Sequence, residues 1–269
     1  MNAVIMGNEQ SLPHLRVLVT RPAHQASKLD RLIAAVGAEA VCFPVIEIIG
    51  PRDAATLHKL IEQLDHFDMI IFVSANAVDQ AMPLINACHG RLPAHLLIAC
   101  VGRATARALK QFGIGTSLLP ATRFDSEGLL LLPELQNVNG KRILIFRGEG
   151  GRELLAQTLR ARGAEVQYAE CYRRVRPQTD ITPLLRRWQD GLIDLVTLTS
   201  VEALDNLLTM VGESGRSLLL NTPVIVVSSR IAEACRRYGF VHEPWIAEEA
   251  SDEGLVEAIK AWRTSQKPV

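Results

Sequence analysis

Short apolar runs at 17–20, 69–73, 97–101, 143–146, 195–198 and 224–227 set the rhythm of the chain. They are rich in β-branched residues and lack the apolar–polar alternation of a strand with one wet face. Continuous runs of this length suit parallel strands buried on both faces. Between them the spacing changes. Leu29, Leu32, Ile33 and Val36 recur at i, i+3, i+4 and i+7, which predicts a helix ending at Gly37. Leu154, Leu155 and Leu159 predict its counterpart, ending near Gly163. Strand and helix alternate along the whole chain, so the expected class is α/β with parallel sheets covered by helices.

The pattern is duplicated at a constant spacing of 126 residues, as from Arg16 to Arg142. Arg16-Val17-Leu18-Val19-Thr20-Arg21 aligns with Arg142-Ile143-Leu144-Ile145-Phe146-Arg147, and Gly37-Ala38-Glu39 with Gly163-Ala164-Glu165. Asp68-Met69-Ile70-Ile71-Phe72-Val73-Ser74 falls on Asp194-Leu195-Val196-Thr197-Leu198-Thr199-Ser200. Gly113 pairs with Gly239 and Glu127-Gly128 with Glu253-Gly254. The offset never slips, and a repeat of this kind predicts two related α/β lobes. The simplest arrangement places them one after the other.

The 269 residues are enough for about two domains. Charge is balanced, with 29 basic and 29 acidic residues, so the basic excess of a general nucleic-acid binder is missing. Of the basic residues 23 are Arg and 6 Lys, a bias that genome composition explains for the chain as a whole. The five cysteines, Cys42, Cys88, Cys100, Cys171 and Cys235, are scattered and form no C-x-x-C pair, which predicts reduced thiols. Residues 1–14 lack the basic and apolar regions of a secretory leader, and no run reaches the ~18 apolar residues of a membrane span. A cytoplasmic protein is expected, acting as a monomer.

In open parallel sheets ligands bind beyond the carboxyl ends of the strands. The residues there are Thr20-Arg21-Pro22, Ser74-Ala75-Asn76, Gly102-Arg103-Ala104-Thr105, Arg147-Gly148-Glu149-Gly150-Gly151, Thr199-Ser200 and Ser228-Ser229-Arg230. Such a rim is rich in hydroxyls and arginine and poor in acids, so it would donate hydrogen bonds to an anion beside free helix N–H groups. Helix capping alone explains any one of Ser74, Thr105, Ser200 and Ser228. Arg21 and Arg147 could bind carboxylates, and a structural ion pair explains each equally well.

The glycines after 147 fail the G-x-G-x-x-G pattern because Glu153 takes the third glycine position, and no phosphate-binding loop of the G-x-x-x-x-G-K-[ST] type occurs. There is no nucleophile elbow and no H-E-x-x-H. The seven histidines do not cluster and are expected on solvated faces. No metal and no cofactor is implied. Two extended segments remain, 42–51 and 168–177, related by the same offset and both ending in proline. They read as connectors between lobes, where Tyr172 would face the cleft with a phenolic proton to donate, or would serve only as an amphipathic interface residue.

Taken in order, Val19-Thr20-Arg21-Pro22, Phe43-Pro44-Val45-Ile46-Glu47-Ile48, Phe72-Val73-Ser74-Ala75-Asn76-Ala77-Val78, Val101-Gly102-Arg103-Ala104-Thr105, Gly148-Glu149-Gly150-Gly151-Arg152 and Cys171-Tyr172-Arg173-Arg174 resemble the uroporphyrinogen-III synthase family from about Arg16 to Ala258. The resemblance implies a cofactor-independent enzyme of haem and sirohaem biosynthesis. It would close linear hydroxymethylbilane into uroporphyrinogen III, losing water and inverting the last pyrrole ring. It implies two similar lobes, each a parallel β-sheet flanked by helices, joined by a two-stranded connector with substrate in the cleft between. The chain would cross twice, giving one lobe from 1–44 plus 177–269, a second from 50–168, and connector strands at 45–49 and 169–176. An exchange of the first strand–helix unit between repeats reconciles this with the constant offset.

Carried over by position, the resemblance makes Tyr172 the candidate proton donor to the leaving hydroxyl. Thr105 takes a family hydroxyl position, and Ser74, Asn76, Thr199, Ser200, Ser228 and Arg230 become candidate contacts for the substrate's carboxylates, with Arg21 and Arg147. The threonine of some relatives in the other lobe is Ile231 here, and Ser228 with Arg230 are the candidates to replace it. A transient handover from hydroxymethylbilane synthase is the one protein partner the resemblance suggests. A two-lobed small-anion binding or sensing module is the reading from another class.

Overall fold

The computed structural model describes residues 12–116 and 118–266, so the leader expectation for 1–14 falls mostly outside the described residues. The chain begins with β1 (Arg16–Val19), α1 (Ala23–Ala35) and β2 (Glu39–Cys42). It continues through β3 (Glu47–Ile49), α2 (Ala54–Glu62), β4 (Met69–Phe72), α3 (Ala75–His89), β5 (Leu97–Cys100) and α4 (Arg103–Gln111). Then come α5 (Ser126–Leu130), α6 (Pro133–Gln136), β6 (Arg142–Gly148), α7 (Leu154–Ala161) and the long β7 (Glu165–Val175). The remainder is α8 (Thr182–Gln189), β8 (Leu195–Leu198), α9 (Val201–Leu220), β9 (Val224–Val226), α10 (Ser229–Tyr238), β10 (Trp245–Ile246) and α11 (Asp252–Ser265). Among the described residues no helix is long and apolar enough to cross a membrane.

These elements form two compact units, one of residues up to Glu47 together with those from Val175, the other Ile48–Arg174. The first unit has a five-stranded sheet in the order β10-β9-β8-β1-β2, with every neighbouring pair parallel. Helices α1 and α11 cover one face through Leu29, Ile33, Leu255 and Ile259, packed on Val17, Val19, Leu195 and Ile225. The second unit has the order β3-β7-β6-β4-β5, and its pairs β7–β6, β6–β4 and β4–β5 are parallel.

Alternate residues of the second sheet face opposite sides. Ile70, Phe72, Leu144 and Phe146 pack under α2, α3 and α4, while Met69, Ile71, Ile143 and Ile145 pack under α5, α6 and α7. Both sides are buried, which is why the runs carry no polar alternation. Leu154, read as part of the buried stripe of α7, is 40% exposed because it opens the helix; Leu155 and Leu159 supply the apolar face. Cys42 and Cys88 are exposed free thiols, whereas Cys100, Cys171 and Cys235 are buried. His89 and His95 are not simply solvated: their rings donate to the carbonyls of Ile61 and Phe67 at 2.6 and 3.2 Å.

The repeat is woven crosswise. β1 pairs with β8 and β6 with β4, so each sheet joins strands from different halves of the 126-residue repeat. A carboxylate seals each junction. Asp194 accepts the Arg16 backbone N–H at 2.7 Å and its guanidinium at 2.8 and 2.9 Å. Its counterpart Asp68 accepts the Arg142 backbone N–H at 2.8 Å and the Lys141 ammonium at 3.1 Å. The Arg142 N–H, and then Lys141, hold the Asp68 carboxyl below the usual carboxylate range.

The duplicated Glu-Gly pairs have an equally local cause. Asp125 caps α5 through the Gly128 N–H at 2.8 Å, and Ser251 caps α11 through the Gly254 N–H at 3.0 Å. A Cβ on Gly128 would lie 1.8 Å from the Arg123 carbonyl oxygen, and one on Gly254 2.1 Å from that of Glu249. Backbone cannot yield as a side chain can. Gly128→Ala and Gly254→Ala are each expected to cost about 2 kcal/mol, within the overpacking range. Gly115→Ala, which meets nothing within 4 Å, should stay within about 0.5 kcal/mol. Urea unfolding curves check all three. Because the Asp68 carboxyl is depressed in the folded state, its contribution is present above the unfolded value of about 3.9 and lost as pH falls through the folded one. The stability gap between wild type and Asp68→Asn should be constant from neutral pH to about 5 and shrink below about 4, as urea midpoints at stepped pH will show.

Candidate active site at the carboxyl end of the second sheet

The residues at this end are placed by helix starts and by one irregularity in the sheet. Ser74 follows β4 in extended backbone and caps α3, accepting the Ala77 N–H at 3.1 Å. Asn76, 8% exposed, is the second residue of that helix. After β5 the cap is Gly102, so Thr105 is not a cap; it is a buried residue in the first turn of α4. Neither helix has an acid in its first turn, which leaves the positive ends of both helix dipoles uncompensated by carboxylates.

The irregularity is a bulge between β6 and β7. Register runs from Arg142 opposite Glu165 to Arg147 opposite Glu170, then shifts so that Gly148 stands opposite Tyr172. The extra residue is Cys171. It breaks the alternation, and Cys171 and Tyr172 both enter the core under α3. The Cys171 thiol donates to the Arg147 carbonyl at 3.2 Å and the Ala77 carbonyl at 3.7 Å. Burial pushes that thiol up to about 12, so it remains a protonated donor and not a nucleophile.

Tyr172 is therefore 3% exposed and packed into the unit, not presented on an open connector. Its hydroxyl lies 3.1 Å from Ser74 Oγ, and the Arg174 guanidinium donates to the phenolic oxygen at 3.4 Å while standing 5.7 Å over the ring. Gly148 makes room for the ring: a Cβ there would come within 2.7 Å of Tyr172 Cζ. The Glu149 N–H donates to the Tyr172 carbonyl at 2.7 Å, and the Glu149 carboxylate accepts the Arg52 N–H at 2.5 Å. Ser74 and Tyr172, singled out in the sequence for separate reasons, thus form one pair. Arg174 and Gly148 were visible only as members of quoted motifs. The bulge, which joins them all, has no sequence signal.

Other expected residues stand elsewhere. Arg147 is 5% exposed and bonded within its own loop, to the carbonyls of Gly148 (3.2 Å) and Gly150 and to Glu153 Oε1 at 2.9 Å. In the first unit Arg21 is ion-paired with Asp252. Thr199 and Ser200 follow β8, and Ser200 caps α9 through the Ala203 N–H at 3.0 Å. Ser228 occupies the cap position of α10 without a side-chain bond to the helix, and Arg230 is exposed on its first turn. The position related to Tyr172 by the repeat is Ile46, a buried aliphatic residue without a proton to give.

Comparison with known proteins matches residues 27–257 to the family model for uroporphyrinogen-III synthase HemD. The uroporphyrinogen-III synthases of Salmonella typhimurium and Escherichia coli K12 are each 35% identical over 247 residues, covering 91% of this chain and all of theirs. Among solved structures, a uroporphyrinogen-III synthetase from Helicobacter pylori superposes with a TM-score of 0.58 at 14% identity, covering 93% of this chain and all of that one. A mutant uroporphyrinogen III synthase from Thermus thermophilus gives 0.57 at 18% identity, covering 93% and 98%. The structural matches carry the fold, and the family model with the curated relatives carries the kinship: this chain belongs to the uroporphyrinogen-III synthase family.

Proposed function

We propose that the Tyr172–Ser74 pair supplies the proton on which this enzyme's reaction turns. The reaction is the closure of hydroxymethylbilane to uroporphyrinogen III, with loss of water and inversion of pyrrole ring D. The pyrrole nitrogen pushes its electron pair toward the hydroxymethyl carbon, the C–O bond breaks, and the oxygen takes a proton and leaves as water. The azafulvene so formed is attacked by the substituted carbon of ring D, giving a spiro intermediate that fragments and recloses with the ring reversed. The substrate's own electrons drive every bond change. What the protein must provide is a proton at one oxygen, partners for carboxylates, and a conformation that favours the inverted route.

One observation carries the assignment: the Tyr172 hydroxyl lies 3.1 Å from a serine oxygen that already accepts the Ala77 amide. The serine proton is then available to the phenolic oxygen, and Arg174 donates to the same oxygen. Two donors directed at that oxygen leave the phenol's own proton to point outward, and they stabilise the phenolate that remains once it has gone. The substrate carboxylates are assigned to the amide-rich starts of α3 and α4 with Asn76 and Thr105, and to Thr199, Ser200, Ser228 and Arg230 in the other unit. Arg21 and Arg147, with carboxylate partners of their own, are left out of that set.

Tyr172→Phe should lower turnover by about 100-fold or more with its urea midpoint little changed, since general acids are worth roughly 10²–10⁴. Supplying enzymatically generated hydroxymethylbilane and separating uroporphyrins I and III after oxidation gives the readout: isomer III falls toward the no-enzyme level. Full isomer III production by folded Tyr172→Phe would remove the phenol from the mechanism. Gly148→Ala, whose Cβ must displace the ring and its hydroxyl, should lose activity in the same assay while every polar side chain is retained.

A further inference from the structure

Arg147 was a candidate for binding substrate, yet its surroundings describe a different task. The guanidinium is enclosed by the loop that follows it. It donates to the carbonyls of Gly148 and Gly150, pairs with Glu153 at 2.9 Å and lies 4.4 Å over the ring of Tyr168. The Tyr168 hydroxyl in turn donates to the other oxygen of Glu153 at 2.6 Å. Gly151, at φ 104, passes so close that a Cβ would stand 3.1 Å from the guanidinium. Loop 148–153 is therefore wrapped on a charged peg whose side chain is 6% exposed.

The far side of the same loop touches the phenol. Gly148 lies against the Tyr172 ring, and the next N–H, that of Glu149, holds the Tyr172 carbonyl at 2.7 Å. The ring is thus confined between Ser74 on α3 and a loop whose shape Arg147 sets. We infer that Arg147, with Glu153 as its counter-charge, is a positioning residue: it fixes loop 148–153 and through it the direction of the Tyr172 hydroxyl. This rests on the proton-donor reading above and deepens it. A guanidinium fork serves the purpose because it reaches two carbonyls and a carboxylate at once. A lysine has its three donors on one nitrogen and lacks the separated Nε, Nη1 and Nη2 that Arg147 uses here.

The experiment pairs kinetics with amide hydrogen exchange on Arg147→Lys and Glu153→Gln. Glu153→Gln keeps an acceptor for Tyr168 while removing the charge, and it guards against a fold defect in the arginine variant. Both should lower kcat by about 10- to 100-fold with KM held within about twofold, the signature of a reacting group displaced by a fraction of an ångström to 1 Å. Amides 148–152 should exchange faster, and those of β4 and β5 should be unchanged. A raised KM with kcat and exchange intact would make Arg147 a substrate ligand and overturn the inference. Unchanged exchange alongside an inactive Tyr172→Phe would overturn the clamp alone. Tyr172→Phe at full kcat would instead overturn the proton-donor reading, and the clamp's catalytic role with it.

Discussion

Both sheets depend on one exchange: the strand that opens each half of the repeat is paired with a strand from the other half. β1 lies beside β8 and β6 beside β4, and at each junction an aspartate grips the first backbone amide of the incoming strand. A parallel pair needs its register defined at the start, because a slip of one residue turns every side chain to the other face. Asp194 on Arg16 and Asp68 on Arg142 define it with charge-assisted bonds. Once those strands are in place, the rest of each unit follows as strand, helix and parallel strand. This exchange also reconciles an unslipping 126-residue offset with a unit assembled from both ends of the chain.

The site is where that regularity is broken. A strand buried on both faces offers no place for a polar side chain, and β6 obeys this from Ile143 to Phe146. β7 alternates up to the bulge, with Val166 and Ala169 buried and Glu165, Gln167 and Glu170 exposed. The bulge at Cys171 then turns two successive side chains to the same face. One of them, the thiol, donates to the Arg147 carbonyl across the bulge. The other, the phenol, is carried to the start of α3. Burying a tyrosine hydroxyl without a partner would cost on the order of 1–3 kcal/mol, so its place is set by where donors and acceptors exist. Ser74 provides one because a helix start there already requires a capping oxygen. Capping the helix and pairing with Tyr172 are not alternatives for this serine. The cap fixes the orientation that the pairing with Tyr172 requires.

Much of the fold was legible in the chain because its signals are local. The apolar runs mark strands to within a residue or two, since unalternated β-branched segments have few other uses. The Glu-Gly pairs look like unremarkable polar punctuation until the carbonyls of Arg123 and Glu249 show why no Cβ is tolerated. The candidate site was legible only in part. Ser74 and Tyr172 could each be named, but their meeting depends on a bulge that no composition or periodicity encodes. For Arg147 the sequence left a carboxylate ligand and a structural ion pair equally open, and the structure gives it an ion pair with Glu153. An arginine after a strand looks the same in sequence whether it faces a ligand or the loop that follows it.

The two units also show how a duplicated frame can carry unequal chemistry. Positions related by the repeat keep the strand ends and caps: Ser74 and Ser200 each accept an amide three residues on. Around them the residues diverge as a set. Tyr172 corresponds to Ile46, Arg174 to Ile48, and Gly148 to Pro22. Where one unit has the glycine that admits the ring and the guanidinium beside the phenol, the other has a proline and an isoleucine. Arg147 and Arg21 share a position too, yet one is held by Glu153 from the loop that follows it and the other by Asp252, distant in sequence. Phenol, glycine, cation and enclosed arginine thus occur together in one unit, whereas the serine caps and helix starts recur in both.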